Sequence, residues 1–333
     1  MAYLVILAFG ISAFIIVFLY QQIVTHPMAL WERLSFFLIL TGIIVTSAYI
    51  RLQYIESDSL EAKVLRPIAS PIERGVEIVE NAGASKKLEA VILPEIEGKE
   101  GTYSVVIRNL KTGEYYNLNE KEKYTAASLY KLWTMATVHQ QIKDGKITMD
   151  KTVSLDIKTL NTAFDLGEDA EQTEGTITTT IKDALEQMIT ISHNYSALLL
   201  TYVIKNSSVK QFLLNYHLTD SKTGSPPITT ANDIADYYDL LYKGALISKE
   251  ASEEMLSVLK RQKLNDRIPK YLPEKTIIAH KTGELFGAKH DAGIVYAPKG
   301  DYIIVLMSQT KNETTAAGIE ANISKAVFEY FSN

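Results

Sequence analysis

Cysteine is absent from all 333 residues. That excludes disulfides, thiolate metal sites and a cysteine nucleophile together. A strong field of one sign is also missing: 34 Lys and Arg stand against 39 Asp and Glu, a formal net charge of -5 at pH 7. A balance this small argues against a general nucleic-acid binder. No HExxH or similar spacing joins His26, His139, His217, His280 and His290, and no Gly-rich phosphate loop occurs. No metal and no cofactor is therefore expected. Repeats and low-complexity tracts are lacking too.

The most localised absence is at the start. Residues 1–31 contain no Asp, Glu, Lys or Arg. Inside this stretch runs an almost unbroken apolar segment, 3–20, and a second spans 34–50 between Arg33 and Arg51. As helices they would extend about 26 Å, near the lower limit for a bilayer core of about 30 Å. Tyr20, Trp31 and Tyr49 fit an interfacial aromatic belt. The first segment lacks a basic leader and an evident cleavage site, so a retained helical hairpin is the expectation rather than a signal peptide. Residues 1–52 thus read as a membrane hairpin with lipid as its partner, and 53–84, punctuated by Pro67, Pro71, Gly75 and Gly83, as a linker. Arg51, Lys63 and Arg66 pull the following domain weakly toward the cytoplasm. The chemistry below points outward and carries more weight.

Residues 85–333 read as one globular domain. Strands are expected at 103–109 and 114–118 around a Lys111-Thr-Gly113 turn, and again at 276–281, 291–297 and 301–308. Helices are expected at 128–145, 181–191, 195–205, 208–216, 232–243, 249–261 and 314–331. Strands at both ends with helices between predict an α+β domain whose antiparallel sheet is completed by the C-terminus. Lys260, Arg261, Lys263, Arg267 and Lys270 read as a solvated basic face.

Three short motifs follow one another: Ser128-Leu-Tyr-Lys131 at a helix start, Ser192-His-Asn194 after an apolar helix, and Lys281-Thr-Gly283 at a strand end. Residues three apart on a helix share a face, so the Lys131 amine can reach the Ser128 hydroxyl. A serine is a weak nucleophile without such a base. A second cation lowers the pKa of a buried lysine, and Lys281 can supply it. The Ser192 hydroxyl can relay a proton, and the Asn194 amide can hold a substrate carbonyl. The backbone amides of Ser128 and Glu284 can form an oxyanion hole. Two further Lys-Thr-Gly copies, at Lys111 and Lys222, lack the strand context and read as turns.

In order and context the three motifs resemble those of serine β-lactamases and penicillin-binding proteins, specifically the class A β-lactamase branch. The resemblance extends to Tyr124-Thr-Ala-Ala-Ser128, Asp266-Arg-Ile-Pro269 and His290-Asp-Ala-Gly293. It implies a β-lactamase/transpeptidase-like fold. It implies Ser128 as the acylated residue, Lys131 as base and Ser192 as relay, with Asn194 as substrate ligand. Lys281 and Thr282, with Gly283 closing the motif, would anchor a substrate carboxylate. Glu284, beside them, is a candidate substrate contact.

Two departures stand out. His193 occupies a motif position where the branch commonly has Asp, and it is expected to face structure. The branch also deacylates with a loop glutamate, whereas residues 219–228 contain none and only Asp220 as carboxylate. Acylation is expected, with slow turnover. Three readings stay open. One is a membrane-anchored serine hydrolase of β-lactams or D-Ala-type cell-wall peptides, including a D-alanyl-D-alanine carboxypeptidase. The second is a penicillin-binding sensor acylated once. A glutaminase on a similar serine–lysine fold fits the Lys281 context less well.

Overall fold

The computed structural model describes residues 85–332. The expected spans at 3–20 and 34–50, and the linker, lie outside the described residues. Among the described residues no helix is long and apolar enough to cross a membrane.

The chain opens with helix α1 (Lys86–Ile96), capped by Ser85, whose Oγ accepts from Leu88 N at 3.2 Å. Strands β1 (Thr102–Asn109) and β2 (Tyr115–Leu118) follow, then the short β3 (Tyr124–Thr125). A 3₁₀ turn (Ala127–Tyr130) leads into helix α2 (Lys131–Lys143). Next come β4 (Thr152–Asp156), α3 (Ile157–Ala163), a 3₁₀ turn (Gly167–Asp169) and β5 (Thr176–Thr180). Helices α4 (Ile181–Thr190), α5 (Asn194–Ile204) and α6 (Asn206–Asn215) precede the short β6 (Ile228–Thr229). Then α7 (Ala231–Tyr242) and α8 (Lys249–Leu259) lead to strands β7 (Ile277–Leu285), β8 (Ala288–Tyr296) and β9 (Tyr302–Gln309), and α9 (Glu313–Ser332) closes the chain.

The main sheet is antiparallel, in the order β2-β1-β9-β8-β7. Both of its faces are buried, and the alternation of strand side chains divides them. Val106, Ile294 and Val305 join the helical core that includes Trp133, Leu200 and Tyr237. Val105, Ile304 and Leu306 face the other way, in a core with Leu88, Ile92, Ile319 and Val327 of α1 and α9. Each such aliphatic side chain contributes about 1.5–3 kcal/mol by leaving water. A Cβ on Gly293 would sit 2.4 Å from the Ala279 carbonyl oxygen, so β8 approaches β7 as only glycine allows.

Helix starts follow the local chemistry. Thr180, Thr230 and Ser248 each accept a hydrogen bond from the backbone N–H three residues on, at 3.0, 3.2 and 3.2 Å. The Lys111-Thr-Gly113 copy is a hairpin turn, as expected: Asn109 Oδ1 accepts from the Lys111 and Thr112 amides at 3.0 and 2.9 Å, and Gly113 has φ 75°. The Lys222 copy lies in a loop closed by a Lys222–Ile228 bridge.

Three expectations need correction. The 128–145 segment is not one α-helix, because Ala127 takes φ 44° and the chain first makes a 3₁₀ turn. The β4–β5 ribbon and α3 were not foreseen. Their strands are rich in threonine and half exposed, joined across by Ser154 Oγ and Thr178 Oγ1 at 2.7 Å, and only Val153, Leu155 and Ile177 pack inward, which makes a weak hydrophobic signal. Arg267 does not belong to a solvated face. It is fully buried, bound to the His290 carbonyl at 2.7 Å and paired with Glu284 and Asp266.

Candidate active site

Ser128 sits in the 3₁₀ turn between β3 and α2, directly after the left-handed Ala127. Strand β7 runs past this turn. A Cβ on Gly283 would lie 3.3 Å from both Ser128 N and Ala126 O, so any side chain there would push the strand from the serine. The Lys-Thr-Gly motif therefore ends in glycine where strand and turn meet. The turn is braced from two more sides. Ala126 N donates to Pro227 O at 2.8 Å. His290 Nε2 meets Thr125 O at 2.9 Å, while Ser308 N donates to His290 Nδ1 at 3.2 Å. Burial pushes the His290 pKa down to about 4, so the ring is neutral near pH 7, with Nδ1 also 2.6 Å from Lys289 O. His290 is thus a brace for the strand leading to Ser128.

Lys131 opens α2 and is completely buried. Its Nζ donates to Ser192 O at 2.6 Å and Asn194 Oδ1 at 2.7 Å, and lies 3.1 Å from Ser192 Oγ. The expected bond to Ser128 Oγ is not formed. The acceptors at the start of α5 hold the amine instead. Lys281, also completely buried, places its Nζ 3.0 Å from the same Ser192 Oγ and donates to Thr282 O at 2.8 Å. One hydroxyl therefore stands between two amines. Ser192 reaches this position with φ 57°, a strained value for a non-glycine residue of the kind that collects at functional sites.

The electrostatics follow from burial. Desolvation pushes the Lys131 pKa down to about 7, opposed by the Glu171 carboxylate. Burial, and next the charge of Lys131, hold Lys281 well below the ordinary lysine value. Two amines about 3 Å from one hydroxyl resist being charged together.

The remaining motif residues fall nearby with different duties. His193 faces structure, as expected: it caps α5, its Nδ1 accepting from Ser196 N at 3.1 Å. Thr282 is buried on β7, in register with Asp291. The Glu284 side chain, a candidate substrate contact, is engaged by Arg267 and by Lys289 Nζ at 2.8 Å. Its backbone stays on β7, one residue beyond Gly283. Asp220 lies at the surface, 4.0 Å from Lys123 Nζ.

One site residue escaped the sequence reading. Glu171 Oε1 accepts a hydrogen bond from Asn194 Nδ2 at 2.5 Å. The adjoining Gln172 N donates to the hydroxyl of buried Tyr195 at 3.0 Å, and Asn161 Nδ2 donates to Gln172 O at 2.7 Å. The loop before β5 is thus tied to the first residues of α5. The only prior signal was composition: residues 164–175 hold five carboxylates and no Lys or Arg.

Comparison with known proteins agrees on the fold and the family. The model of the beta-lactamase enzyme family matches residues 83–331. Beta-lactamase VEB-1 of Pseudomonas aeruginosa is 22% identical over 266 residues, covering 72% of this chain and 88% of the relative. Among solved structures, PBP-A superposes with a TM-score of 0.66 at 21% identity, over 75% of this chain and 97% of that one. A beta-lactamase from Sphaerobacter thermophilus gives 0.64 at 21% identity, over 73% and 96%. With the fold, the ordered motifs and the family match in agreement, this chain belongs to the beta-lactamase enzyme family.

Proposed function

We propose that the protein is a membrane-anchored serine hydrolase that forms an acyl-enzyme with β-lactams or D-Ala-type cell-wall peptides and releases it slowly. The observation that carries this reading is the single Ser192 hydroxyl held between Lys131 and Lys281, at 3.1 and 3.0 Å. With Lys131 neutral, its two N–H bonds serve Ser192 O and Asn194 Oδ1, and its lone pair is free to take a proton. The repulsion from Lys131 on Lys281 is then lifted, and Lys281 Nζ lies 3.0 Å from Ser192 Oγ as its donor.

In this mechanism Ser128 Oγ attacks the lactam or peptide carbonyl, and Lys131 Nζ takes its proton. The oxyanion forms against the backbone amides of Ser128 and Glu284. The C–N bond breaks as the proton passes through Ser192 to the departing nitrogen. Lys281 and Thr282 hold the substrate carboxylate, and Asn194 holds its side-chain carbonyl. A variant of the structural neighbour PBP-A forms an acyl-enzyme complex with penicillin G, which supports the same first step here.

Water must then cleave the Ser128 ester. Residues 219–228 offer no glutamate for that step, which favours a long-lived adduct. The natural role is then a D-alanyl-D-alanine carboxypeptidase, or a sensor acylated without turnover. The apolar runs at 3–20 and 34–50 support membrane anchoring, with the catalytic domain outside the cytoplasm, where such substrates occur.

The test is intact mass against time after adding a penicillin to the full chain in detergent, beside Ser128→Ala. An adduct on the wild type alone, lasting for hours, supports the proposal. An adduct that clears in seconds with hydrolysed drug overturns slow deacylation. No adduct on a folded wild type overturns the whole assignment.

A further inference from the structure

Asn194 uses both ends of its amide within the site. Lys131 requires an oxygen, so Oδ1 faces the lysine, and the orientation of the amide group is fixed. Nδ2 therefore points the opposite way, and there it meets the Glu171 carboxylate at 2.5 Å. On the proposed mechanism this N–H is the donor for the carbonyl of the substrate's acyl side chain. A carboxylate occupies that place. The contact is built rather than incidental: the neighbouring Gln172 is fixed through its N–H to Tyr195 and through its carbonyl to Asn161. Tyr195 follows Asn194 on α5, so two consecutive loop residues dock on two consecutive helix residues.

A carbonyl that takes the Asn194 N–H must displace Glu171. A neutral acyl side chain sends the carboxylate back to water with nothing gained. A side chain that carries an ammonium group beside that carbonyl gives the displaced carboxylate a partner at the mouth of the site. The remaining four carboxylates of 164–175, with no Lys or Arg among them, add attraction of the same sign.

We propose that Glu171 is a specificity-determining residue that favours acyl donors bearing an ammonium group next to the acyl-side-chain carbonyl. This rests on the function proposed above and deepens it by naming the substrate class. Exposed ion pairs of this kind are worth up to about 1 kcal/mol, so the expected preference is about fivefold.

The experiment measures acylation rates by intact mass on the full chain in detergent. It compares two penicillins alike except for an α-ammonium group, benzylpenicillin and ampicillin, at a pH where that amine is protonated. Wild type is compared with Glu171→Gln, which keeps an acceptor for Asn194 but no charge, and with Glu174→Gln, which removes a charge from the same loop with no contact to Asn194. Any change in the proton affinity of Lys131 acts on both drugs and cancels in their ratio. A wild-type preference for ampicillin that Glu171→Gln abolishes and Glu174→Gln retains supports the proposal. A ratio unchanged by Glu171→Gln, or lowered equally by both variants, overturns it while leaving the acyl-enzyme reading standing. Failure of both drugs to acylate the wild type overturns the underlying function instead.

Discussion

Ser128 lies between two walls that are furnished very differently. On one side the starts of α2 and α5 and strand β7 bring Lys131, Ser192 and Lys281 together, each amine within 3.1 Å of the Ser192 hydroxyl. On the other side runs the 219–228 loop. It touches the serine's turn through backbone, Pro227 O to Ala126 N at 2.8 Å, and its one carboxylate faces Lys123 at the surface. The first wall carries groups that can move protons. The second carries no glutamate, although it is just as firmly held, through Lys222 to Ile228 and Ser221 N to Asp233 Oδ2 at 2.7 Å. A loop can therefore keep its structural duty to the Ser128 turn while lacking the carboxylate that, on the proposed mechanism, deacylation needs.

This contrast can be broken most severely from the furnished side. Lys131→Ala is expected to slow acylation about a thousandfold, within the range for loss of a positioned base. Adduct growth by intact mass checks it, and a rate within threefold of wild type would remove Lys131 from the base role. The second effect is on pH. In the proposed mechanism Lys131 acts when neutral, and its pKa is held down to about 7. Acylation should fall as pH drops through that value, about tenfold per unit below it. A rate profile flat from pH 8 to 5.5 would show that another group takes the proton.

The unfurnished side offers a gain. Ser225→Glu, two residues before the carbonyl that binds Ala126, should shorten the adduct's lifetime about tenfold, less than an evolved base provides. Chasing the adduct after removing free drug measures this, and an unchanged lifetime would mean that more than a carboxylate is missing. The smallest effect on chemistry concerns stability. The folded His290 pKa is about 4 against an ordinary 6.5. Its neutral form is therefore favoured in the fold, and its contribution is fully present above about pH 6.5. That contribution is lost as pH falls toward 4, about 3 kcal/mol in all. Urea midpoints across that window should fall for wild type and fall less steeply for His290→Gln.

The readable parts of the molecule were those with local signals. Strands β1, β8 and β9 alternate or run apolar, helices α4, α7 and α8 begin at Ser or Thr caps, and the three motifs mark the site through residue type and spacing. The unreadable parts depend on distant partners. Nothing near Arg267 announces that the carbonyl of His290 and the carboxylate of Glu284 will enclose it. The β4–β5 ribbon is held by backbone pairing, one Ser154–Thr178 hydroxyl bond and only three partly buried apolar side chains, Val153, Leu155 and Ile177. Glu171 sits in a polar stretch that reads as surface, and only the docking of Gln172 on Tyr195 brings it to the site. The left-handed Ala127 likewise has no sequence mark, since alanine seldom adopts that conformation.

The pairing of β1 with β9 joins Thr102 to Gln309, near opposite ends of the described chain. Contacts so distant in sequence make folding slow. They also set an order of assembly. Ser128 and Lys131 are synthesised early, whereas Lys281 and the strand that passes the serine come late, just before the two strands and the helix that complete the fold. A chain emerging from synthesis thus carries Ser128 without the second amine or the β7 amide. The Lys131–Ser192–Lys281 cluster is complete only when the last strands close, so on the proposed function an unfinished copy lacks the finished site.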